Sequence, residues 1–133
     1  MKINEKDQDF SIYRKIKITA EDEEKQINIP VVSIECKTYL DKTMLEGSIA
    51  TAEKIKLGNP YCLFLVVTET YSVSYDVDPK YSRIDQIFVL RKDKNEQQIC
   101  SDVVYKMFST VGKHLSSDWS NIEEKIKKYG RVL

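Results

Sequence analysis

Several residue types are scarce in this chain, and each scarcity removes a class of function. Histidine and tryptophan occur once each, at His114 and Trp119. A single histidine leaves no room for a histidine-rich metal site. No serine or cysteine stands beside it in a recognisable nucleophile motif, which argues against a catalytic triad. Cysteine occurs three times, at Cys36, Cys62 and Cys100, an odd number at wide spacing. No Cys-x-x-Cys pair suggests zinc, so the expectation is free thiols in a reducing compartment, with Cys36 and Cys62 buried in apolar strands. Four glycines are scattered singly and form no phosphate-cradling loop, which argues against nucleoside triphosphate binding. Net charge is absent as well: Lys and Arg number 21, and so do Asp and Glu. Any nucleic-acid contact must therefore come from local clusters of basic residues. No apolar run approaches the length of a membrane span, and the first ten residues are too polar for a signal peptide. A cytoplasmic chain with no membrane partner is expected.

The 133 residues suit one domain with one core. From Asp9 to Thr19, Phe10, Ile12, Ile16 and Ile18 share one parity, a half-buried strand interrupted by Arg14. Ala20–Gln26 is an acidic stretch expected to be a solvated loop. The run from Ile27 to Thr38 reads as the next strand, and a short polar connection makes the two an antiparallel hairpin. A helix should follow, capped by Asp41 or by a Thr43–Glu46 capping box, with an apolar stripe of Leu45, Ile49, Ala52 and Ile55. Gly58-Asn59-Pro60 ends it. Tyr61–Thr68 is apolar on both faces, as in a buried parallel strand, so strand, helix and strand form a βαβ unit. Tyr71–Pro79 reads as a strand or an exposed loop, and Gln86–Arg91 as another buried strand. Glu96–Leu115 carries a helical stripe of Ile99, Val103, Met107, Val111 and Leu115, best explained as core. Ser120–Glu123 is a capping box opening a short basic helix.

The chain is organised around Pro30–Thr38. This stretch starts as a β-branched run and ends with Glu35 and Lys37, two residues apart and so on one face of a strand. The Glu-x-Lys triplet occurs three times, but only this copy terminates an apolar strand. Its bland explanation is an ion pair at a sheet end. Its sharper one comes from the hairpin. Asp9 opens the first strand where Glu35 and Lys37 close the second, so two carboxylates and a lysine can converge. A hard cation offsets the repulsion between two carboxylates, and magnesium accepts a few oxygen ligands while keeping its waters. A bound divalent ion polarises a phosphoryl oxygen, and a neighbouring lysine can orient water or offset transition-state charge. These are the parts of a phosphodiesterase. Asp7 has the same parity as Asp9 and competes for the metal role. Glu46, one turn into the helix, is a possible helper better explained by capping.

Asp9, followed after 26 residues by Glu35-Cys36-Lys37, resembles the core of the PD-(D/E)xK nuclease superfamily. The wording Lys6–Phe10, Ile34–Leu45 and Tyr81–Ile87 resembles the Bpu-ten-I-like family of type II restriction endonucleases, over most of Lys6–Lys92. The resemblance implies an α/β fold: a restriction-endonuclease-like mixed central sheet with flanking helices. The N-terminal part of the core is missing, because only eight residues precede Asp9 and Gln8 replaces the expected proline. Residues 1–133 would then be a single nuclease-like domain, the C-terminal catalytic portion of a larger enzyme or an inactive remnant of one. The implied activity is magnesium-dependent cleavage of double-stranded DNA, with manganese as a substitute. Asp9, Glu35 and the backbone carbonyl of Cys36 would hold the metal, and Lys37 would position the attacking water.

DNA contacts are expected from Arg14, Lys15 and Lys17, with Lys125, Lys127, Lys128 and Arg131 more simply a solvated face. Tyr71, Tyr75 and Tyr81 either line DNA or pack. Cutting both strands calls for two active sites, so a homo- or hetero-oligomer with another nuclease subunit is expected. Two further readings stay open: a non-catalytic DNA-binding or assembly subunit, and a plain α/β domain in which Glu35 and Lys37 are an ion pair.

Overall fold

In the computed structural model, residues 9–93, 95, 97–116 and 122–132 are described, without the side chains of Ile16 and Ile122. Four strands form one mixed sheet in sequence order. Strand β1, Phe10–Ala20, pairs antiparallel with β2, Glu23–Leu40. Helix α1, Lys42–Gly58, crosses to β3, Leu63–Tyr71, which lies parallel to β2. A 3-10 turn at Pro79–Tyr81 leads into β4, Gln86–Val89, parallel to β3. Helix α2, Ser101–Ser116, and helix α3, Ile122–Tyr129, follow. Hairpin, βαβ unit and flanking helices are the architecture expected from the sequence.

The acidic loop expected at Ala20–Gln26 is instead a two-residue turn. Glu21 and Asp22 both take positive φ, 53° and 65°, and the strands pair right up to Ala20 and Glu23. Two such residues make a hairpin turn whose twist matches the flanking strands. A bulge at Val31 then breaks the register: Ile12 faces Val32, but Tyr13 faces Pro30. Pro30 has no N–H to give, and a bulge is one of the few places a paired strand accepts it. The bulge puts Val31 and Val32 in one apolar cluster with Ile34, Leu65, Val67 and Phe88.

That cluster is covered by α2 through Val103, Met107, Val111 and Leu115, the four-residue repeat seen in the sequence. The helix starts later than that repeat suggests, at Ser101, and Ile99 is exposed. Cys100 donates its N–H to Leu90 O at 2.8 Å, a bond that ties the segment to the end of β4. The other face of the sheet packs on α1, where Leu45, Ser48, Ala52 and Ile55 are buried. Phe64 and Val66 meet them from β3. Leu65 and Val67 serve the opposite cluster, so β3 is buried on both faces. Each such side chain contributes about 1.5–3 kcal/mol on removal from water.

Asp41 caps α1, accepting from Met44 N at 2.8 Å. The Thr43–Glu46 capping box is therefore not formed, because the helix already begins at Lys42. At its other end Asn59 donates backbone N–H to Ile55 O and side-chain N–H to Pro30 O, the latter at 2.5 Å. Residues 72–78 are a loop, not a strand. Tyr71 packs on the core, whereas Tyr75 and Tyr81 are solvent-exposed and do not pack. Ser120, which opens the expected Ser120–Glu123 capping box, lies outside the described residues.

Candidate active site

Glu35, Cys36 and Lys37 lie in the part of β2 paired with β3, beside Val66, Val67 and Thr68. Strand alternation sends Glu35 and Lys37 to the face that α1 covers. Glu35 is 6% exposed, and a carboxylate so deep needs a hydrogen-bond donor. Ser48 of α1, itself 2% exposed, donates its hydroxyl to Glu35 Oε2 at 2.7 Å. The length is typical of a charge-assisted bond.

Asp9 reaches the same place by register. Phe10 faces Ile34, so in an antiparallel pair Asp9 is level with Glu35. Its Oδ2 accepts from Cys36 N at 2.8 Å. Strand β1 starts one residue later, at Phe10, so this bond ties the residue just before β1 to β2. A strand residue's N–H and C=O leave on the same side. The Cys36 carbonyl is therefore directed to this same edge. Asp9 Oδ1 and Glu35 Oε1 take no part in these bonds.

Lys37 is half-buried, and among the described residues its amine forms no hydrogen bond or ion pair. An ion pair with Glu35 is thus not what holds this strand end together. Cys36 is exposed, contrary to the buried thiol expected from its strand. The α2 cluster takes in Ile34 and does not extend to Cys36. Partial burial first, and the neighbouring Asp9 charge second, push its thiol up from the ordinary value of 9.0. Cys62 is buried as expected, and burial likewise raises it.

Other expected contributors are elsewhere. Asp7 lies outside the described residues. Glu46 is exposed on α1, away from the buried stripe that carries Ser48. Arg14 is not beside the site: its guanidinium donates to Leu115 O at 3.0 Å, closing the C-terminal end of α2. Strand β1 runs away from Asp9, and Arg14 is roughly 17 Å along it. Lys15 lies further along β1, and Lys17 beyond it pairs with Glu24. On and just after α3, Lys128 and Arg131 stand over the Tyr129 ring. Ser48 escaped the sequence reading, although a signal was present. It is the one hydroxyl in the buried stripe Leu45–Ser48–Ala52–Ile55, opposite the strand that carries a buried acid.

Among the described residues no three Asp, Glu, His or Cys side chains form a metal-binding group. The two carboxylates and the Cys36 carbonyl nonetheless fit magnesium, which takes one or two carboxylates and fills its shell with water and substrate oxygens. Among the described residues no helix is long and apolar enough to cross a membrane.

The family model of the Bpu10I restriction endonuclease matches residues 1–112. No curated protein matches the chain. Among solved structures, a chain of the native BbvCI A2B2 tetramer, determined at low resolution, is similar in fold with a TM-score of 0.64 and 23% identity. The match covers 81% of this chain and 46% of that one, so this chain spans less than half of its neighbour's length.

Proposed function

This chain belongs to the Bpu10I restriction endonuclease family, and from that membership and the geometry of its sheet edge we propose that it carries the catalytic site of a type II restriction endonuclease. Its substrate is the phosphodiester bond of double-stranded DNA, and its cofactor is magnesium, with manganese as a substitute. The observation that carries the reading is the hairpin register that sets Asp9 level with Glu35, with Cys36 N–H on the Asp9 carboxylate.

Asp9, Glu35 and the Cys36 carbonyl would hold the ion. When bound, it polarises the scissile phosphate and lowers the pKa of coordinated water. The remaining work belongs to the chain. The Cys36 N–H keeps Asp9 from swinging into solvent, and the Ser48 hydroxyl keeps Glu35 turned to one side. Lys37 Nζ is a donor without a competing carboxylate among the described residues. It can orient the attacking water and offset charge on the phosphate oxygens. Cleaving both strands takes a second site, supplied by another copy or by a related subunit; the neighbour in fold is an A2B2 tetramer. The enzyme acts in the cytoplasm.

The deciding experiment is nicking of supercoiled plasmid in magnesium by the wild type, Glu35→Gln and Lys37→Ala. Nicking by the wild type and loss in both variants supports the reading. Salt-sensitive DNA binding without nicking would replace it with a non-catalytic DNA-binding subunit.

A further inference from the structure

We propose that Ser48 is a positioning residue of the site, holding Glu35 in its metal-ready orientation from the opposite layer of the fold. The proposal rests on the reading of Glu35 as a metal-holding carboxylate. Leu45, Ser48, Ala52 and Ile55 recur at three- and four-residue spacing, and all four are buried. A packing role at the second of these positions would call for an apolar side chain. A hydroxyl there must find a partner, and the partner is Glu35 Oε2 at 2.7 Å.

The bond has consequences that packing alone would not have. An ionised carboxylate only accepts, so the Ser48 hydroxyl hydrogen is directed at Glu35. The side chain of Val66, beside Glu35 in β3, offers no polar atom to compete. Glu35 has three side-chain torsions, and anchoring Oε2 to a helix removes most of that freedom. Oε1 is then left on the side away from Ser48, for use at the sheet edge where Asp9 and the Cys36 carbonyl converge. Because α1 is pinned by the Asp41 cap at one end and by Asn59 to Pro30 O at the other, the anchor itself is rigid. Partners of this kind, which orient a metal-holding side chain without touching the metal, change metal affinity or activity by about 10–100-fold when removed.

The test is calorimetric titration of manganese alone into the full chain, for wild type, Ser48→Ala, Ser48→Thr and Glu35→Gln, with thermal melts on the same samples. The expected result is that Glu35→Gln abolishes binding and Ser48→Ala weakens it by about 10–100-fold, while Ser48→Thr, which keeps the hydroxyl, stays near wild type. Ser48→Ala binding like wild type, with Glu35→Gln still inactive in binding, overturns the Ser48 proposal alone. Wild type and Glu35→Gln binding alike, or neither binding, overturns the reading of Glu35 itself and with it the proposal. A merely structural hydroxyl would lower the melting temperature in Ser48→Ala and leave manganese affinity unmoved. Should Ser48→Ala fail to fold, Ser48→Cys replaces it: a near-isosteric, weaker donor that should bind manganese less tightly, and whose wild-type affinity would equally overturn the proposal.

Discussion

The carboxylate of Asp9 ties the start of the hairpin to β2, accepting the Cys36 N–H at 2.8 Å. One side chain thus has two jobs, an end-cap for the hairpin and a candidate metal ligand. The two can be separated. Asp9→Asn keeps an acceptor oxygen and loses the charge, so stability should stay within about 1 kcal/mol while cleavage falls at least about a hundredfold. Asp9→Ala should lose both. Urea denaturation beside plasmid nicking reads the two effects, and equal nicking by wild type and Asp9→Asn would remove Asp9 from the site.

Lys37 offers the sharpest contrast with a structural ion pair. Its amine has no carboxylate partner among the described residues. Lys37→Met should therefore cost little stability, within about 0.5 kcal/mol. Breaking a buried pair would cost several times more, about 3–5 kcal/mol. Manganese binding should survive in this variant and nicking should not. A large loss of stability would restore the ion-pair explanation.

The Cys36 thiol reports on Asp9 from the outside. Burial and the Asp9 charge both raise its pKa, so less thiolate is present at a given alkaline pH than in an unfolded chain. Asp9→Asn removes the second cause and lowers that pKa. Iodoacetamide should then label Cys36 faster in the variant across the mildly alkaline range, with the rate profile moved to lower pH. The linkage has the same sign. A raised thiol adds stability that is present below the ordinary thiol pKa and is lost as pH climbs through the folded value. Identical profiles for wild type and Asp9→Asn would contradict the proximity of the two groups.

Asp85 holds the other end of the sheet. Its Oδ2 accepts from Phe64 N at 2.8 Å and from Lys56 Nζ at 2.6 Å, while its own N–H donates to Phe64 O. Asp85→Ala leaves the Phe64 N–H without this acceptor and a mostly covered Lys56 unpaired, for a loss of about 2 kcal/mol in urea unfolding. Asp85 is itself about a third exposed, which keeps the ionic share small. Asp85→Asn, retaining an acceptor, should lose less, and an equal loss would show that charge dominates.

The hairpin turn carries avoidable strain. Glu21 and Asp22 both stand at positive φ, which their Cβ atoms oppose. Replacing the pair with Asn-Gly should stabilise the chain by about 1 kcal/mol, seen as a higher melting temperature with unchanged nicking. No gain would mean that side-chain contacts of the turn offset its strain.

Much of this organisation is written in the order of residues. Alternation in β1, the two-faced apolarity of β3 and the four-residue repeat of α2 are local signals. Each follows from the period of one element and the need to bury one face. The approach of Asp9 to Glu35 was legible in outline, because a hairpin brings those strand ends together, but the bulge at Val31 shifts the register by the one residue that sets Asp9 level with Glu35 and not with Ile34. What period and spacing could not express depends on contacts between layers. Only the packed helix shows that Ser48, and not Glu46 two residues earlier, meets Glu35. Only the position of α2 shows that Arg14 is committed to Leu115 O and that Cys36 is left outside the core. The bulge at Val31, which decides where each face of β2 points on either side of it, arises where β1, Pro30 and the first β3 pairing compete for one strand. Periodicity reports what a segment must bury, and tertiary structure alone decides against which atoms.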